Sequence, residues 1–205
     1  VPGALYTSTC PCQTAEPVRV FEIAAVQAKL VYNSYGWHDP QGRFFVLKEE
    51  IEKYGTLDNY LEKVECGEIH PEPLVIRANA GDCVEVRFTN LLPEFLEGSA
   101  FQLRTLTDIV GIHLVKFDTI VSDGSANGWN NIAGARRYET LVERFFADET
   151  LHTVFFHDHL FANSHQQHGL FGALIVEEAG AEWLDPRTGL PLSSGTQAVI
   201  RRRNG

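Results

Sequence analysis

Leu151-His-Thr-Val-Phe-Phe-His-Asp-His-Leu-Phe-Ala-Asn-Ser-His-Gln-Gln-His-Gly169 holds five of the chain's eight histidines. It runs straight into Leu170-Phe-Gly-Ala-Leu-Ile-Val176. The apolar lead-in Val154-Phe155-Phe156 reads as a strand leaving a core, and the period of two along a strand puts His157 and His159 on one face and Asp158 on the other. Imidazoles at such a point need a ligand or a hydrogen-bond network, because burying them unpartnered is costly. Metal binding is therefore expected here. Imidazole nitrogen suits zinc, copper, iron and nickel, so ligand type alone leaves the ion open.

Outward from this segment the chain is mostly strand-like. Val18–Val31, Gly42–Leu47, Leu74–Ala78, Cys83–Thr89, Val110–Val121, Thr140–Phe146, Leu151–His157 and Phe171–Glu177 are short runs rich in β-branched and aromatic residues. Turn clusters such as Asn79-Ala-Gly-Asp82 and Ser122-Asp-Gly-Ser-Ala-Asn-Gly128 separate them. Strands at this spacing predict a mostly β fold, an antiparallel sandwich or barrel. Lys48–Val64 differs: Ile51, Tyr54, Leu57 or Asp58, and Leu61 recur at helical spacing, with a break near Gly55. This spacing predicts one helical insertion over about 48–64. Residues 1–17 read as an irregular arm, 18–180 as the β domain, and 181–205 as a linker or surface-hugging extension.

The chain has 205 residues, 44% of them hydrophobic and 21% charged, which is ordinary globular chemistry and excludes disorder. Its apolar runs fall far short of the roughly 20 residues of a spanning helix, so no membrane span is expected. A formal charge of -10, with the only dense basic run at Arg201–Arg203, argues against nucleic acid. The chain starts at Val1 and holds no Met, which is expected of a processed chain or one cut from something longer. Its cysteines are Cys10, Cys12, Cys66 and Cys83. A Cys10–Cys12 bridge would close a small, strained ring across Pro11, so pairing of that segment with Cys66 or Cys83 is expected, in an oxidising, extracytoplasmic compartment.

Phe155-Phe-His-Asp-His159, a short loop and Gly169-Leu-Phe-Gly-Ala-Leu-Ile-Val176 together resemble a signature of the multicopper oxidases. Pro73-Leu-Val-Ile-Arg-Ala-Asn-Ala-Gly-Asp-Cys-Val-Glu-Val-Arg-Phe-Thr-Asn-Leu-Leu92 is similar to that family's early strand pair, and His113 followed by Asp123-Gly124 to its first copper motif. The resemblance covers about residues 70–178. It implies a mostly β, cupredoxin-like Greek-key β-sandwich domain that contributes H-x-H motifs to a trinuclear (type 2/type 3) copper cluster, completed by further cupredoxin domains in the same precursor or another chain. His157 and His159 would be the second motif, and His113 the surviving member of the first, with Gly111 or Val115 where its partner is expected.

His165, His168, Asp158 and Gln166 would be ligands or would hydrogen-bond around them; His152 is expected to be structural, and His38 and His70 have no assigned role. The family's H-C-H position carries Asp158, so no blue copper is expected in this chain. The implied activity is dioxygen reduction to water while a reductant, a phenol or other small molecule or a metal ion, is oxidised. The helical insertion and the long loop after Asp123 look closer to the large bacterial multicopper oxidases, some of which oxidise manganese. The alternatives are a non-catalytic copper-binding or structural module and a hydrolytic zinc site.

Overall fold

A 14-residue strand, β1 (Val18–Val31), pairs with a neighbour on each side. On one side it turns back through Asn33–Gly36 into antiparallel β2 (His38–Leu47); on the other it lies parallel to β4 (Cys83–Asn90). In the computed structural model, residues 18–94, 112–120, 122–125 and 133–202 are described. The expected amino-terminal arm, with Cys10 and Cys12, lies outside them, as do Gly111 and the rest of the turn cluster after Ser125.

Two sheets face each other. The larger runs β2-β1-β4-β6-β5, with β5 at Lys116–Phe117 and β6 at Thr140–Phe146; the smaller runs β3-β8-β7, formed by Leu74–Asn79, Phe171–Glu177 and His152–His157. Their inner faces meet through Phe45, Ile76, Val86, Phe88, Phe145, Val154, Phe156 and Leu174, all nearly inaccessible. This is the mostly β sandwich that the alternating strands predict. The expected all-antiparallel arrangement is corrected: β1–β4 and β3–β8 are parallel. Alternation reports which face a residue occupies and carries nothing about strand direction.

The helical insertion forms two helices, α1 (Lys48–Glu52) and α2 (Leu57–Glu65). Gly55, at φ +81°, breaks the run, and Thr56 caps α2 by accepting the Asn59 N–H at 3.2 Å. The break resets the helical phase, so Ile51, Tyr60 and Val64 are buried while Tyr54, expected on the apolar face, is exposed. These helices close a second core over the outer face of β1 and β2, against Ala24, Val26, Ala28, Phe44 and Val46. That is why the middle of β1, Ile23–Val26, is apolar on both faces.

After β8 the chain forms a small hairpin, β9 (Glu182–Leu184) with β10 (Val199–Arg201). The loop between them lies along the edge of β3, where Arg77 N donates to Ser193 O at 2.9 Å and Gly195 N to Val75 O at 2.8 Å. Trp183 is buried beneath the Arg19 guanidinium, 4.8 Å from its ring centroid. Edge hydrogen bonds that would otherwise face water are thereby covered. Cys66 is a free, exposed thiol, which removes it as a partner for the amino-terminal cysteines; Cys83 is buried at the start of β4.

Gly172 is the tightest point of the smaller sheet. A Cβ there would sit 2.4 Å from Leu74 O and 2.4 Å from the tip of the Phe156 ring. Because the first contact is backbone, Gly172→Ala is expected to lower stability by about 2–3 kcal/mol, the upper range of overpacking. Denaturant unfolding measures it, and an unchanged midpoint would show that β3 and β8 can separate without cost.

Candidate metal centre

Strand β7 serves two surfaces. Val154 and Phe156 point into the core, Phe155 and His157 to the outer face. One residue beyond the strand end Asp158 is fully buried, and His159 returns to the outer side, half-buried, with ring centroids of His157 and His159 4.8 Å apart. The third imidazole is brought by a different element. His113 N donates to Phe155 O at 3.0 Å, which ties its backbone to β7, and its ring centroid lies 5.3 Å from that of His157 and 5.9 Å from that of His159.

The sequence pattern predicts His113 inside a strand, Val110–Val121. Instead the described part of that stretch is irregular except for Lys116–Phe117. Val115 N bonds back to His113 O at 2.9 Å around Leu114, whose φ is +67° and whose side chain is exposed. A left-handed leucine costs free energy and persists only where its surroundings enforce it. Here the tight turn sends Ile112 and Val115 into the core and His113 to the site. Val115, one of the two positions for a missing partner histidine, thus faces away from the centre.

One nitrogen on each of His113, His157 and His159 lies within 4.8 Å of the others. His157 Nδ1 is 2.8 Å from Asp158 O, and His159 Nδ1 is 3.0 Å from Asp123 O. A carbonyl only accepts, so both Nδ1 atoms carry the proton and both Nε2 atoms present lone pairs. His113 Nε2 and His157 Nε2 are 3.2 Å apart. Two nitrogens bound at about 2.0 Å to one ion would sit roughly 3 Å from each other, so this spacing fits a shared cation. Burial foremost, then the neighbouring His157 and His159, holds the His113 imidazolium below its ordinary range, which favours the neutral form that binds metals. The donor set therefore fits a nitrogen-loving transition metal ion. Phe155, stacked against His113 and in contact with His157, packs beside the centre on a face of the sandwich that is partly open.

The remaining sequence candidates are not among the three clustered imidazoles. Asp158 Oδ2 accepts the Phe161 N–H at 2.7 Å and is 3.3 Å from Nδ1 of buried His165, in an orientation that makes no hydrogen bond. His165 ends a four-residue helix, α3 (Ala162–His165), and is separated from the three clustered imidazoles. His168 bonds Asp39 Oδ2 on β2 at 2.6 Å, and Gln166 lines a groove with Phe155 and Phe171. The sequence pattern did not mark Arg43. It is 1% exposed, reaches Gln27 Oε1 and Ser164 Oγ at 3.3 and 3.4 Å, and feels the charges of Asp39 and Asp158, although burial outweighs them and lowers its pKa. An arginine in the apolar half of β2 was the available signal. Glu143, equally unmarked, is a buried carboxyl on β6.

No protein-family profile and no curated protein sequence matches this chain. Among solved structures it is similar to a multi-copper oxidase from Pseudomonas Thermotolerans (19% identity, TM-score 0.48, covering 80% of this chain and 30% of that one). It is also similar to a copper nitrite reductase from Nitrosomonas europaea (18%, 0.47, 80% and 43%) and to the multicopper oxidase mgLAC (18%, 0.47, 80% and 40%). Its structural neighbours are copper proteins by name. The chain spans between 30% and 43% of their lengths.

Because the proton-accepting partners of His157 and His159 are backbone carbonyls, Asp158→Ala is expected to spare both tautomers. It should cost about 1–3 kcal/mol, since the Phe161 N–H loses its buried acceptor. Thermal unfolding together with nitrogen NMR of the histidine rings checks the pair; a tautomer change would mean that the carboxylate itself orients them.

Proposed function

We propose that this chain is a cupredoxin-type copper domain of a multicopper oxidase, in which His113, His157 and His159 contribute to a type 2/type 3 cluster. The observation that carries the reading is the convergence of three imidazoles, two of them locked with Nε2 inward, on spacing that suits a cation. Copper bound there would supply one-electron redox chemistry towards dioxygen. The chain's own residues hold the ligands: the turn at Leu114 presents His113, the carbonyls of Asp158 and Asp123 fix two tautomers, and Phe155 shields one side.

Three imidazoles are fewer than a full cluster takes, and the centre lies on the outer face of the smaller sheet with Phe155 still 39% exposed. Both features support completion by further cupredoxin domains, from the same precursor or another chain. The reductant, a small molecule or a metal ion, would donate its electrons at a blue copper on such a domain. No helix among the described residues is long and apolar enough to cross a membrane, and an extracytoplasmic location would let Cys83 pair with Cys10 or Cys12. The count of three ligands also fits a second reading, a copper-binding module without oxidase activity.

Elemental analysis and electron paramagnetic resonance separate the two. The chain is expected to bind copper with the signal of a nitrogen-ligated, non-blue site. Replacing His157 and His159 together by Ala should remove most of that copper while circular dichroism stays unchanged. Dioxygen consumption appearing only with the remaining domains favours the oxidase, and copper binding without it in the whole assembly favours the module. Copper content indifferent to the double replacement sinks both.

A further inference from the structure

On the outer face of the smaller sheet, Arg77 of β3, Ile175 of β8 and Thr153 of β7 lie side by side in one register row. With Glu177 they line an open cavity of about 510 Å³, bounded above by the β9–β10 loop through Ala198. Thr153 is four residues back along β7 from His157, roughly 13 Å at the rise of a strand, so the cavity is separate from the candidate metal centre.

Two of its side chains are buried charges. Arg77 is 3% exposed, and the only hydrogen bond of its guanidinium among the described residues runs from Nη2 to Gly195 O at 3.0 Å. Its Nε is enclosed with no partner. Glu177 is buried too, and among the described residues its carboxylate has neither a hydrogen bond nor an ion pair. In the register Glu177 stands opposite Asn79, two residues along from Arg77, which puts the two backbones roughly 8 Å apart on one face. Burial lowers the Arg77 pKa and the charge of Glu177 partly offsets it, yet the two do not close an ion pair. Buried charges are costly unless paired and hydrogen-bonded, and nothing in the fold pairs these. An anion in the cavity would meet Glu177, and a cation would meet Arg77. A ligand that carries both charges suits both ends.

We propose that this cavity is a binding site for a free α-amino acid, with its carboxylate on Arg77, its ammonium on Glu177 and an apolar side chain against Ile175 and Ala198. The guanidinium fork matches a carboxylate, and the carboxylate of Glu177 accepts from an ammonium. Ile175 and Ala198 offer apolar surface beside the charges. The inference stands apart from the metal reading, since none of the three clustered imidazoles takes part.

Calorimetric titration of the full chain tests it, without added copper because amino acids chelate that ion. The probes are glycine, L-leucine, isocaproate, which is leucine without its ammonium, and isoamylamine, which is leucine without its carboxylate. L-leucine should bind more tightly than glycine, and each single-charge analogue roughly ten- to hundredfold more weakly than L-leucine, the weight of a hydrogen bond to a charged group. Glu177→Gln should weaken L-leucine by a similar factor and leave isocaproate no weaker. Thr153→Phe, at an exposed strand position that accepts aromatic side chains, fills the cavity without touching either charge and should abolish binding while circular dichroism stays unchanged. Three results overturn the proposal: neither amino acid binds; isocaproate or isoamylamine binds as tightly as L-leucine, which makes the cavity a simple anion or cation site; or the L-leucine affinity survives either replacement, which places the binding elsewhere.

Discussion

The smaller sheet depends on one close approach, where β8 passes between β3 and β7 at Gly172 with the ring of Phe156 over it. With no side chain at that point, Phe156 reaches the core and strand β7 runs straight to its end. The period of two then fixes the sides taken by the next three residues. His157 must leave the core side, Asp158 must return to it, and His159 must leave again. The H-x-H pair is thus set by the packing of Phe156, a contact that contains no polar side chain.

The centre joins two kinds of support. Hydrophobic packing sets where the imidazoles stand, and polar contacts set which nitrogen they offer. Buried Arg43 and Asp158, with half-buried Asp39 and Ser164, sit around the loop that comes after β7, so that its irregular backbone is held by charge and hydrogen bonds where strands cannot hold it. Such a network specifies one arrangement more than it adds net stability. On the other side, the strained turn at Leu114 puts His113 within 3.2 Å of His157. Strain of this kind fits a site built for something other than stability.

Much of this was legible in the sequence. The strands Thr140–Phe146 and Phe171–Glu177 and the opposite sides of His157 and Asp158 come from alternation alone, because a half-buried strand writes its faces into its sequence. What escaped was set by long-range contacts. The parallel β1–β4 and β3–β8 pairs look like antiparallel ones residue by residue. His113 reads as part of a strand because Ile112, Leu114 and Val115 are apolar, yet Leu114 is the exposed apex of a turn. Glu143 was visible as a charge in an apolar row, but that it is buried with neither carboxyl oxygen hydrogen-bonded shows only in the fold.

The central claim is that three imidazoles take one cation through defined nitrogens. Pulsed electron paramagnetic resonance of the copper(II)-loaded chain tests it most directly, because the remote nitrogen of each bound ring couples measurably to the electron spin. Couplings from imidazole remote nitrogens that weaken on replacing His113, His157 or His159 singly are predicted. A spectrum without them, or one untouched by those replacements, would contradict the account.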